Sequence, residues 1–143
     1  MVENDAMSLE PSAANAAEIA AMAVPVVQQN YGVTLDYGVT SLKQLDGIID
    51  DLRRDQRFEA LQPLLFSIGC YVGEVLVRHA GARWRGTQEL GMGVVASSPI
   101  AIEMPDGREC NPVGRVYKRF QKGREDSLAS FYQAMTGESP DRP

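Results

Sequence analysis

Apolar and polar residues alternate in several rhythms along the chain, and the longest apolar run sets the frame for the rest. Between Leu64 and Val77 only Ser67 and Glu74 are plainly polar, and only Gly69 and Gly73 interrupt as turn residues. A run this long exceeds a single strand and predicts a helix over residues 64–80, covered on nearly all sides. Pro63 is placed in its first turn, where a missing N–H does no harm. Gly81 is placed just past its end, where the left-handed conformation costs glycine nothing. The run falls short of the roughly 18 unbroken apolar residues of a membrane span and contains an acid, which predicts a core helix and no membrane. Gly69 and Gly73 stand one turn apart on one face. Each costs about 1 kcal/mol of helix propensity against alanine, a cost explained if another backbone packs closely there.

Other rhythms flank this run. Residues 12–30 predict an alanine-rich helix with Ile19, Met22, Val26 and Val27 as its stripe, kinked or split at Pro25. Its small faces suit close packing, on the core or on a second copy of the chain. Residues 31–38 read as a short extended segment or a loop. Ser41 with Gln44 forms a capping box for a helix to about residue 54, with Leu42, Leu45, Ile49 and Leu52 inward. Asp46, Asp50 and Asp51 are assigned to its solvated outer face, with Asp50 able to pair with Arg54. The short connection 55–59 predicts that this helix and the next are antiparallel neighbours.

Beyond Gly81 the period shortens. Residues 83–85, 93–97 and 100–104 read as strands, Pro105-Asp106-Gly107 as a turn, and 108–110 as the returning strand. Asn111 and Pro112 then supply the N-cap and first position of a helix with the stripe Val113, Val116, Tyr117 and Phe120, stopped by Gly123. Asp126 or Ser127 opens a last helix carrying Leu128, Phe131, Tyr132 and Met135, ended by Gly137. The expected architecture is one α+β domain over 12–137. It has a central buried helix and flanking helices on an antiparallel sheet of three to four strands. Residues 1–11 are expected to be disordered and 138–143 loose.

At 143 residues the chain fits one domain, and a net charge of −5 argues for solubility and against general nucleic-acid binding. Its 2 cysteines, Cys70 and Cys110, make no disulfide framework and read as reduced thiols of a cytoplasmic protein. The apolar stretch 13–27 is preceded by Glu3, Asp5 and Glu10 and interrupted by Asn15 and Glu18, so it reads as a helix rather than a leader.

Little chemistry follows from the remaining patterns. The single histidine, His79, lies nine residues from Cys70 on one helix, about 180° around it and roughly 13 Å along it, which precludes a dyad. One histidine and two distant cysteines supply no zinc site, and the acids lack a calcium loop, so no metal or cofactor is expected. Gly91-Met92-Gly93-Val94-Val95-Ala96 matches the dinucleotide fingerprint, but a β-branched run and Pro99 follow it instead of a helix.

Two groups stand out as binding candidates. Glu74 precedes Arg78 by four residues, the favourable order for a helical ion pair, and with Tyr71 and Trp84 it could line a ligand or partner pocket. Arg115, Lys118, Arg119 and Lys122 recur at i, i+3, i+4 and i+7. That spacing makes an exposed positive face, which suits the helix C-terminus or an anionic partner.

Gly69-Cys70-Tyr71-Val72-Gly73-Glu74-Val75, followed by Arg78 and by Gly81 to Trp84, resembles the pattern of a family of uncharacterised bacterial proteins. In that pattern a G-x-Y-x-G-E-V helix runs into R-x-x-G-x-x-W. Asn111-Pro112, Val116-Tyr117-Lys118, and Gly123 before Asp126-Ser127-Leu128 are similar to its second block, so the resemblance covers roughly residues 35–135. It implies a soluble bacterial domain and carries no activity. The expected function is therefore a non-enzymatic cytoplasmic domain that binds another protein, as toxin-neutralising partners and secretion chaperones of this size and charge do. The competing expectation is a small-ligand site or enzyme around Tyr71, Glu74, Arg78 and Trp84.

Overall fold

The computed structural model describes residues 9–91, 98–123 and 127–138. Within them the elements follow as α1 (Ala16–Tyr31), α2 (Ser41–Asp55), α3 (Phe58–Ala80), β1 (Arg83–Gly86), β2 (Ile100–Glu103), β3 (Glu109–Cys110), α4 (Pro112–Lys122) and α5 (Leu128–Thr136). The fold is α+β, with α3 central. α1 and α4 flank it, and the small sheet follows its C-terminal end.

Helix α3 begins at Phe58, ahead of the apolar run, so Pro63 lies inside it rather than in its first turn. With 23 residues it is long and apolar enough to cross a membrane, a revision of the expected shortfall, yet 61% of its apolar window is buried within the fold. From Ser67 to Leu76 every residue is buried, Glu74 included. The two glycines are the reason neighbours come so close. A Cβ at Gly69 would stand 2.6 Å from the Val113 backbone Cα of α4. At Gly73 it would meet the Trp84 ring at 2.2 Å, so an indole fills that notch instead of a backbone.

Helix α1 runs unbroken across Pro25, and its buried stripe is built from Ala16, Ile19, Ala20, Ala23 and Val27. Met22 and Val26, expected inward, are only half-buried. Leu9, within the stretch expected to be disordered, packs against the core. The other loose residues expected, 1–8 and 139–143, lie outside the described residues, as does the whole of the strand expected at 93–97.

Helix α2 departs from expectation in two ways. Ser41 makes no capping box: Thr40 holds the N-cap position, and Ser41 Oγ donates to the Gly38 carbonyl at 2.6 Å. Nor do α2 and α3 lie together. α2 packs chiefly on α4 and α5. A cleft of about 370 Å³ opens between α1, α2 and α3, lined by Val27, Ile48, Leu52, Leu61, Leu64 and Ile68.

The three strands are antiparallel in the order β1-β2-β3, with Trp84 opposite Ile102 and Ile102 opposite Cys110. The hairpin closes as expected: Gly107 N donates to the Met104 carbonyl at 2.9 Å, and Gly107 sits at φ 92°. Asn111 caps α4 by accepting from Gly114 N at 2.9 Å. Ser127 caps α5 by accepting from Ser130 N at 3.1 Å.

Candidate functional site

Strand alternation decides how Trp84 meets Glu74. In β1 the two arginines on either side of Trp84 share Glu103, Arg83 at 3.0 Å and Arg85 at 2.8 Å. Trp84 points the other way, onto the Gly73 notch of α3. Its indole Nε1–H donates to Glu74 Oε2 at 2.9 Å, and Arg78 Nε lies 3.6 Å from Glu74 Oε1. The Glu74 side chain is 7% exposed and that of Arg78 is 49% exposed, so a buried carboxylate is tied to a half-wet cation. Glu74 is thus hydrogen-bonded through Oε2 and ion-paired through Oε1, which is how its buried charge is compensated.

Tyr71 and Arg78 are occupied by Tyr37, from the stretch 31–38 expected to be a short extended segment or a loop. Tyr37 adopts φ 64°, the only non-glycine residue at positive φ among the described residues. Its ring stacks on Tyr71 with centroids 4.6 Å apart, and the Arg78 guanidinium lies 3.6 Å from the ring centroid. Its amide donates to Tyr71 Oη at 2.7 Å, and its carbonyl accepts from His79 Nε2 at 2.9 Å. Ser41 spends its one proton on Gly38, so the Tyr71 hydroxyl donates to Ser41 Oγ, 2.8 Å away. Burial raises the Tyr71 pKa, a shift opposed by the hydrogen bond its oxygen accepts from the Tyr37 amide. Tyr71, Glu74, Arg78 and Trp84 thus do lie together, but as a closed set that fastens the connection before α2 and the strand β1 onto α3.

The basic stripe divides. Lys118 and Lys122 are exposed, and the Arg115 guanidinium lies 5.2 Å from the Phe131 ring centroid. Arg119, expected on the exposed face, is 1% exposed. It donates to Asp46 Oδ1 from Nε, to Asp50 Oδ1 from Nη1, both at 2.8 Å, and to the Asp46 carbonyl from Nη2 at 2.9 Å. Desolvation alone would lower the Arg119 pKa; the hydrogen bonds it donates to Asp50 and Asp46, with their negative charge, outweigh it, and the net direction is upward. Asp46 also accepts from Leu128 N at 2.9 Å and Ala129 N at 3.2 Å, capping α5 from another helix. Asp46 and Asp50 therefore belong to an internal seam and not to a solvated surface, while Asp51 stays about half exposed as expected. Arg54 pairs with Asp51, not with Asp50.

Both thiols are buried and free. Burial, with Glu74 adding to it, pushes Cys70 up to about 12, and burial pushes Cys110 up to about 12. Neither is a thiolate near neutral pH, which removes their nucleophilic form.

A concave surface lies elsewhere. A groove of about 380 Å³ runs between the N-terminal segment, α1, α3 and α4, lined by Leu9, Ile19, Met22, Pro63, Phe66 and Tyr117. None of the four pocket residues expected from the sequence lines it. Its signals were present but read otherwise: Met22 as core stripe, Pro63 as a helix start, Leu9 as part of a tail. Half-burial of Met22, Phe66 and Tyr117 is a tertiary property that periodicity does not reveal.

Fold and geometry define a small α+β domain with a central buried helix. The chain belongs to a family of unknown function (DUF6278), which it matches over residues 5–136. Comparisons with curated proteins and with solved structures found no match.

Proposed function

We propose that this is a non-enzymatic protein-interaction domain that works in the bacterial cytoplasm and receives apolar side chains of a partner protein. The observation that carries the reading is the apolar groove between α1, α3 and α4. It leaves Met22, Phe66 and Tyr117 half-exposed on a domain whose Glu74, Arg119 and Asp46 are spent internally. Aromatic and methionine side chains in a cleft are what protein interfaces use as anchors. Two free thiols suit a reducing compartment.

A second reading, a small apolar ligand in the same groove, is favoured by its volume, which falls in the range of ligand pockets. It moves the ligand site away from Glu74. The two separate in one experiment: affinity capture from the native host with wild type and with Met22→Lys, alongside native mass spectrometry of the purified chain. The interaction reading expects a partner retained by wild type and lost with Met22→Lys, and no bound small molecule. A metabolite carried by wild type and absent from the variant overturns it.

A further inference from the structure

Acidic residues predominate among the exposed charges beside the groove. Glu10 lies between the lining residues Leu9 and Pro11 and is exposed. Glu18 is exposed on α1, one turn before lining Met22, and Glu59 is exposed on α3, one turn before lining Gln62 and Pro63. Three exposed carboxylates on three segments therefore adjoin the residues of an apolar floor. The cations nearby are weaker features. Arg57 reaches Glu59 only at 4.0 Å, with side chains 88% and 81% exposed, a pairing that solvent screens. Lys118 follows lining Tyr117 but is turned about 100° from it around α4.

We propose that the occupant of this groove is a basic amphipathic segment of a partner protein, its apolar side chains on Met22, Phe66 and Tyr117 and its lysines or arginines against Glu10, Glu18 and Glu59. This rests on the interaction reading and names the chemistry of the partner. Apolar floor and acidic rim together fit the helix-in-groove mode of recognition, in which the floor supplies affinity and the rim selects the sign of charge. The same rim disfavours a fatty acid or an anionic lipid, whose carboxylate or phosphate would face three like charges.

Two fluorescent synthetic helical peptides with identical leucine positions test it, one filled out with lysine and the other with glutamate. Each is titrated against the full chain, against Met22→Lys, and against a Glu10→Gln, Glu18→Gln, Glu59→Gln variant made only of exposed residues. The lysine peptide is expected to bind at least about tenfold more tightly than the glutamate peptide, with the difference shrinking as salt rises. Met22→Lys should weaken the lysine peptide about tenfold or more, and the rim variant should erase the preference between peptides. The rim variant keeps the test decisive if Met22→Lys fails to fold. Equal or tighter binding of the glutamate peptide, lost with Met22→Lys, overturns the charge inference and leaves the interaction reading standing. Binding of neither peptide, with an uncharged apolar dye taken up by wild type and not by Met22→Lys, overturns both.

Discussion

Gly73, Trp84 and Glu74 form the smallest unit on which the fold depends. The absence of a side chain at Gly73 lets the indole lie against α3, and only there does its N–H reach the buried carboxylate. Gly73→Ala would place a Cβ 2.2 Å from the ring, so the indole must leave and Glu74 loses a donor. Overpacking with loss of a hydrogen bond to a charged group is expected to cost about 2–4 kcal/mol in urea unfolding. Gly47→Ala is the control: a Cβ there meets nothing within 4 Å, and the change should stabilise α2 by up to about 1 kcal/mol. Equal stability of the two variants would contradict this account. The glycine spacing in the sequence already pointed to a close approach, and Glu74 with Arg78 to an ion pair. That the approaching group is the indole, and that it is also the partner of the acid, depends on how β1 is placed, which no local spacing encodes.

Charged helices were the least legible elements. The aspartates of α2 and the arginine of α4 each fit a solvated face when read alone. They are about 70 residues apart in sequence, and the structure places them against one another. Arg119 then joins α4 to α2, and Asp46 joins α2 to the first turn of α5. This seam explains why α2 settles on α4 and α5 and leaves a cleft beside α3. Two further arginines bind helix ends in the same way. Arg53 donates to the Phe120 carbonyl at 2.6 Å, and Arg108 to the Met135 carbonyl at 2.7 Å. Arg119→Ala strands two carboxylates in the seam and is expected to cost about 3–5 kcal/mol, a loss that measures the unpaired acids more than the net worth of the pair. Arg119→Lys, one compact charge in place of a three-bonded fork, should recover less than half of it. A change of under about 1 kcal/mol for Arg119→Ala in chemical denaturation would place the seam in solvent.

Across the whole molecule, α3 is read differently along its length. Its middle, from Ser67 to Leu76, is enclosed by α1, α4 and Trp84, whereas its first turns form one wall of the open groove and its last turn is partly exposed. Legibility followed the same division. The enclosed part announced itself as an apolar run, and the caps and hairpin turn as well-placed Asn, Pro and Gly. The groove arises only where four segments meet. Native-state amide hydrogen exchange tests this division most directly. Amides from Ser67 to Leu76 are expected to exchange only through global unfolding, at the slowest rate in the protein, while those of Phe58–Gln62 exchange several orders of magnitude faster. Uniform exchange along α3, or fast exchange at the Gly69–Glu74 turn, would contradict the claim that this helix is the enclosed axis of the domain.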